Sequence, residues 1–156
     1  MNSISPTDQA SQAVPTGYLQ DMNRPVTANL ETDSAYFTRT EPGIIIVKVK
    51  PVHITLDMSD SSLDAILGLA EKKPWALVVD LVDLKGTDRL VRHRAADPDR
   101  FKGVSALAIV AGNPLTRFLG NFFIRVRGPS RPTRLFADPH QAIKWAQTHL
   151  QPQSER

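Results

Sequence analysis

The sequence predicts a mixed α/β domain in which a β-hairpin opens a sheet whose later strands alternate with helices. Three observations predict it. WALVVDL (75–81) and VSALAIVAG (104–112) are short, β-branched apolar runs, the pattern of strands covered on both faces. Each is followed by a stretch with apolar residues at helical spacing. Ahead of both, AYFTRTEPGIIIVKV (35–49) holds a Pro-Gly pair between two strand-like runs. The implied order is ββαβαβαβα, with the helices packed on a largely parallel or mixed sheet.

Each element has a local cause. In the hairpin, Pro42 and Gly43 suit the two central positions of a type II turn, because proline fixes φ and glycine accepts a positive one. Ile44 to Val49 are apolar and β-branched except Lys48, as in a strand buried on at least one face. LDMSDSSLDAILGLAEKK (56–73) repeats Leu63, Ile66, Leu67 and Ala70 at i, i+3, i+4 and i+7. Asp57, Asp60 and Asp64 come early in it and Lys72 and Lys73 late, which the helix dipole favours, and Pro74 ends it. VDLKGTDRLVRHRAADPDRF (82–101) reads as a loop and then a helix capped by Thr87 or Asp88 and ended by Pro98.

After the second apolar strand, Asn113–Pro114 is a cap followed by proline at the first helical position. Leu115, Phe118, Leu119, Phe122, Phe123 and Val126 then form a stripe, with the phenylalanines expected in the core. Gly120 interrupts it and would let the helix pass close to a neighbour or to a second copy of itself. TRLFAD (133–138) is a last short strand. The terminal helix begins at Asp138–Pro139, with Ile143, Trp145 or Ala146, and Leu150 facing inward.

Composition bounds the rest. Residues 1–32, rich in Ser, Thr, Gln and Asn and lacking apolar periodicity, read as a flexible tail, and 151–156 as a shorter one; the domain spans 33–150. The net charge of +3 permits an acidic partner and does not point to nucleic acid. Without cysteine there is no disulfide, thiol nucleophile or Cys–zinc site. No signal peptide or membrane span is expected, and the compartment implied is the cytoplasm.

The order and three stretches resemble the STAS, or anti-sigma-factor-antagonist-like, domains. They resemble most the uncharacterised bacterial group placed with those domains and with the CRAL-TRIO lipid-transfer fold. WALVVDL, VSALAIVAGNPLTRFLGNFF and PTRLFADPHQAIKWAQTHL carry the likeness, which covers residues 35–150 in order. It implies a regulatory protein–protein interaction module of the bacterial cytoplasm rather than an enzyme. In such domains the segment after the central strand carries Asp-Ser-Ser or Asp-Ser-Thr, and a partner kinase phosphorylates a hydroxyl there. The matching stretch, DLVDLKGTDRL (80–90), lacks that motif; its one hydroxyl, Thr87, falls a few positions early. Two other roles are compatible with the sequence: a carrier of a lipid or other apolar ligand, as CRAL-TRIO would imply, and a self-assembling structural subunit.

Two surfaces are candidates for binding. Arg117, Asn121 and Arg125 recur at i, i+4 and i+8 and share the outer face of the helix after Asn113–Pro114, with Arg127, Arg131 and Arg134 further along. This face is either a solvated basic surface or a dock for an acidic protein or an anionic head group. The second surface is the loop holding Asp83, Thr87, Asp88 and Arg89. A phosphate on Thr87 would meet Arg89, Arg92 and Arg94. Asp80 and Asp83 follow a buried strand, where α/β domains bind ligands, but they read first as a capping carboxylate and a solvated one rather than as a ligand site. No cofactor or metal is expected: His53, His93, His140 and His149 show no H-x-x-x-H spacing, and no G-x-G-x-x-G, P-loop or G-x-S-x-G motif occurs. Partners are thus a protein, acidic in character, or a second copy of the chain.

Overall fold

The structure, a computed structural model, describes residues 26–40, 43–70, 75–95, 97, 103–114, 116–118 and 132–150. A six-stranded sheet runs in the order β1 (Val26–Glu31), β2 (Ala35–Thr40), β3 (Ile44–Val49), β5 (Trp75–Asp80), β7 (Val104–Val110), β8 (Thr133–Phe136). The β1–β2 and β2–β3 pairs are antiparallel, and β3, β5, β7 and β8 are parallel. The expected mixed sheet opened by a hairpin is therefore present. Pro42 lies outside the described residues. Gly43 has φ 149°, which side chains rarely adopt, and its carbonyl accepts from Ala76 N at 3.0 Å, tying the turn to the central strand.

The strands alternate in and out with a period of two, so one sheet builds two core layers. Helix α1 (Leu56–Ala70) lays Ile66 and Ala70 against Phe37, Ile45, Leu77 and Ile109 on one face. Helix α2 (Arg89–Ala95) is short and buries Val91 alone. On the other face, α3 (Pro139–Thr148) lays Ala142, Ile143 and Ala146 on Ile46, Ala76, Val78, Ala106 and Ala108. Alanine on both sides lets this helix approach the sheet closely. Asp138 caps it as expected, accepting from His140 N at 3.1 Å.

Three features depart from the sequence reading. First, β1 occupies residues assigned to the N-terminal tail. It pairs with β2 from Glu31↔Tyr36 to Val26↔Thr40 around a bulge, and Thr38 Oγ1 donates to Asn29 Oδ1 at 2.7 Å. Val26 and Leu30 are exposed, so backbone pairing rather than burial holds this edge, and no apolar periodicity marks it. Cutting the chain after residue 30 therefore removes a strand; we expect the melting midpoint to fall by more than about 5 °C, roughly 1 kcal/mol for a domain of this size. An unchanged thermal melt would show that β1 adds nothing. Second, β4 (His53–Ile54) and β6 (Gly86–Thr87) form a two-residue parallel ladder, too short for any periodic signal. Third, Leu67 is exposed, while Ala65 and Leu69 pack on the core beside Ile66, which rotates the buried stripe of α1.

Candidate functional site

The parallel strands β3, β5, β7 and β8 all end at one edge of the sheet, where α/β domains carry their sites on the connecting loops. Lys48 and Asp80 are register partners at the ends of β3 and β5. Lys48 Nζ lies 3.5 Å from Asp80 Oδ2 and 3.0 Å from Asp83 Oδ2. Asp80 Oδ1 accepts from Val82 N at 2.9 Å, so the carboxylate also closes the turn after β5. Burial pushes the Asp80 carboxyl up to about 6 despite that backbone bond, and neighbouring Asp83 adds to the rise. The rise persists although Lys48 Nζ lies 3.5 Å away, nearer to Asp83 than to Asp80. The expected division holds, with Asp80 structural and Asp83 half-exposed, but the lysine between them was recognisable only as the one charge in an apolar run.

Thr87 and Asp88 sit one loop away. The Asp88 carbonyl accepts from Val91 N at 3.0 Å and so starts α2, but its carboxylate points elsewhere, to His53 Nε2 at 2.7 Å. Thr87 is half-buried, and its Oγ1 accepts from Arg92 Nη1 at 3.2 Å. Neither side chain caps the helix as expected, because each has a partner from another element or the next turn. The β4–β6 ladder makes the first pairing feasible. A Cβ at Gly86 would come 2.9 Å from His53 Nδ1, so glycine there leaves room for the ring. Arg94 Nη1 lies 2.7 Å from both oxygens of Asp60 on α1. Arg89 and Leu90 are exposed, Leu90 at 61%.

The segment after β7 returns to the same edge. Asn113 Oδ1 accepts from Thr116 N at 2.9 Å, the cap its sequence predicted, and Asn113 Nδ2 donates to Val82 O at 3.0 Å. Thr116 is fully buried, its hydroxyl accepting from Gly112 N and Asn113 N. This turn is thereby fastened to the turn that carries Asp83. Residues 114 and 116–118 are helical. Phe118, expected in the core, is 65% exposed. Thr116 fixes which side faces inward, and two residues later the helix has rotated by about 200°. Arg117 is exposed, as expected. Asn121, Arg125, Phe122 and Phe123 lie outside the described residues.

The fold thus brings Arg117 and the loop of Asp83, Thr87, Asp88 and Arg89 to one edge, although they read in the sequence as two surfaces. Periodicity alone gave no sign of Leu90 and Phe118 as exposed apolar groups. Among the described residues no helix is long and apolar enough to cross a membrane.

Residues 38–150 match the family model described as "Domain of unknown function (DUF7793)". No curated protein matches the chain. Among solved structures, one match is the crystal structure of an uncharacterised protein from the DUF3478 family with a SpoIIAA-like fold, from Shewanella loihica PV-4. It is 14% identical, with a TM-score of 0.49 over 79% of this chain and 93% of that one.

Proposed function

The chain belongs to the DUF7793 family, and we propose that it is a non-enzymatic regulatory module that binds an acidic protein at the carboxyl edge of its sheet. One observation carries this reading. The two most exposed large apolar side chains among the described residues are Phe118 at 65% and Leu90 at 61%, and they lie in the segments that leave the carboxyl ends of the parallel strands β7 and β5. Each directly follows an exposed arginine, Arg117 and Arg89. Among the described residues neither arginine has an ion pair, whereas Asp83 is taken by Lys48 and Asp88 by His53. The surface left open is cationic and apolar. It suits a partner segment carrying carboxylates beside large apolar groups, since exposed aromatic and arginine side chains are the usual anchors of an interface. Asn121 and Arg125, which lie outside the described residues, belong to the proposal only through their sequence spacing of i+4 and i+8 from Arg117.

The STAS resemblance supports the same reading and implies the bacterial cytoplasm as the compartment. Thr87 belongs to the proposal as the hydroxyl whose phosphorylation would set a phosphate against Arg92, whose Nη1 already lies 3.2 Å from its Oγ1, and so reduce the positive charge of the docking surface. The test compares the wild-type chain with Leu90→Asp/Phe118→Asp as bait in a lysate of the source organism. Both substitutions are at exposed positions, so the fold should hold. A protein retained by the wild type and lost by the variant supports the site. Equal retention by both rejects it. Light scattering on the same pair separates a second copy of the chain from a foreign partner.

A further inference from the structure

Between the sheet and helices α1 and α2 lies a cavity of about 150 Å³. Its floor is the middle of the sheet, where Val47, Val79 and Ile109 stand side by side in register. Val47 and Ile109 are 3% and 2% exposed, yet Val79 between them is only partly buried. A central-strand residue keeps such exposure only where the layer above it is open. The seven-residue α2, which buries Val91 alone, provides too little cover. Partly buried Leu63 on α1 and Ala95 on α2 stand at the opening.

The lining is aliphatic except for the hydroxyls of Ser34, Ser59, Ser62 and Thr87, and among the described residues no charged side chain lines it. Ser34 Oγ and Ser62 Oγ satisfy each other at 3.1 Å, and Thr87 Oγ1 is held by Arg92. Apolar cavities of about this volume take up small apolar molecules. Pockets for larger organic ligands run to about 300–1,000 Å³. A carboxylate would also be desolvated here without a countercharge.

We propose that this cavity is a binding site for a small, uncharged, apolar molecule, of the size of one ring or a short alkyl chain. The site is separate from the docking edge, and its test leaves Arg89, Leu90, Arg117 and Phe118 untouched.

The test titrates the full chain with fluorobenzene, read by ¹⁹F NMR. The wild type should give saturable broadening. Val47→Phe, which fills the cavity from its floor, should weaken binding at least tenfold while the protein still melts cooperatively. Leu63→Trp, placed at the opening, makes the same comparison should the first variant not fold. Wild-type protein without saturable binding, or variants that bind as the wild type does, would overturn the proposal.

Discussion

Arg89→Glu combined with Arg117→Glu should weaken binding to the acidic partner by about 10- to 100-fold, which is 1.4–2.7 kcal/mol, while leaving stability within about 0.5 kcal/mol of the wild type. Both arginines are exposed and neither has an ion pair among the described residues, so reversal breaks nothing in the fold. The loss should fall mainly on the association rate, because charges at the rim of an interface steer encounter. It should shrink as salt rises from 0.05 to 0.5 M, in proportion to screening. Association rates measured across that range on the wild type, each single reversal and the double check both points. Single reversals that act independently would add; the shared edge predicts that each contributes. Binding abolished by Thr87→Glu and unaffected by the double reversal would confine the surface to the loop before α2. The arginine after Asn113–Pro114 would then be a solvated charge.

Asp80→Asn should remove a pH dependence of stability of about 3 kcal/mol. The folded protein holds the Asp80 proton up to about pH 6, whereas the ordinary value is 3.8. Between those values the folded state binds more protons than the unfolded chain, so this group makes stability fall as pH rises from about 4 to 6 and adds no slope above. Roughly two units at 1.36 kcal/mol each set the size, and the side chain is only 4% exposed, so solvent screening takes little away. Asparagine keeps an oxygen for Val82 N, and Lys48 keeps Asp83 at 3.0 Å. Urea midpoints from pH 4 to 7 should therefore separate in favour of the variant as pH increases. Other carboxylates contribute slopes of their own, but these cancel in the difference between the two proteins. A difference that stays constant with pH would mean that Asp80 titrates as an exposed acid.

Much of the fold was legible because its causes are local. WALVVDL and VSALAIVAG announce strands buried on both faces, and the structure pairs them in the interior of the sheet. Asn113–Pro114 and Asp138–Pro139 announce helix starts, and both caps form. The site was legible in its residue types and not in its arrangement. Arg117 and Arg89 are 28 positions apart in the chain, and their common edge follows from two parallel crossovers and one bond from Asn113 to Val82. Phe118 has the spacing of a core residue. Its exposure follows from Thr116, whose buried hydroxyl sets the rotation of the turn.

By itself, then, the sequence determined the kind and order of the main elements, since hydrophobic period, caps and prolines act within a few residues of themselves. Tertiary structure alone decided β1, the β4–β6 ladder, the Lys48–Asp80–Asp83 cluster, the shared edge and the cavity. Each of these depends on what stands opposite a residue across a sheet or beneath a helix. A strand held by backbone pairing leaves no apolar signal, and a cavity is the mismatch between two surfaces that are far apart in the chain.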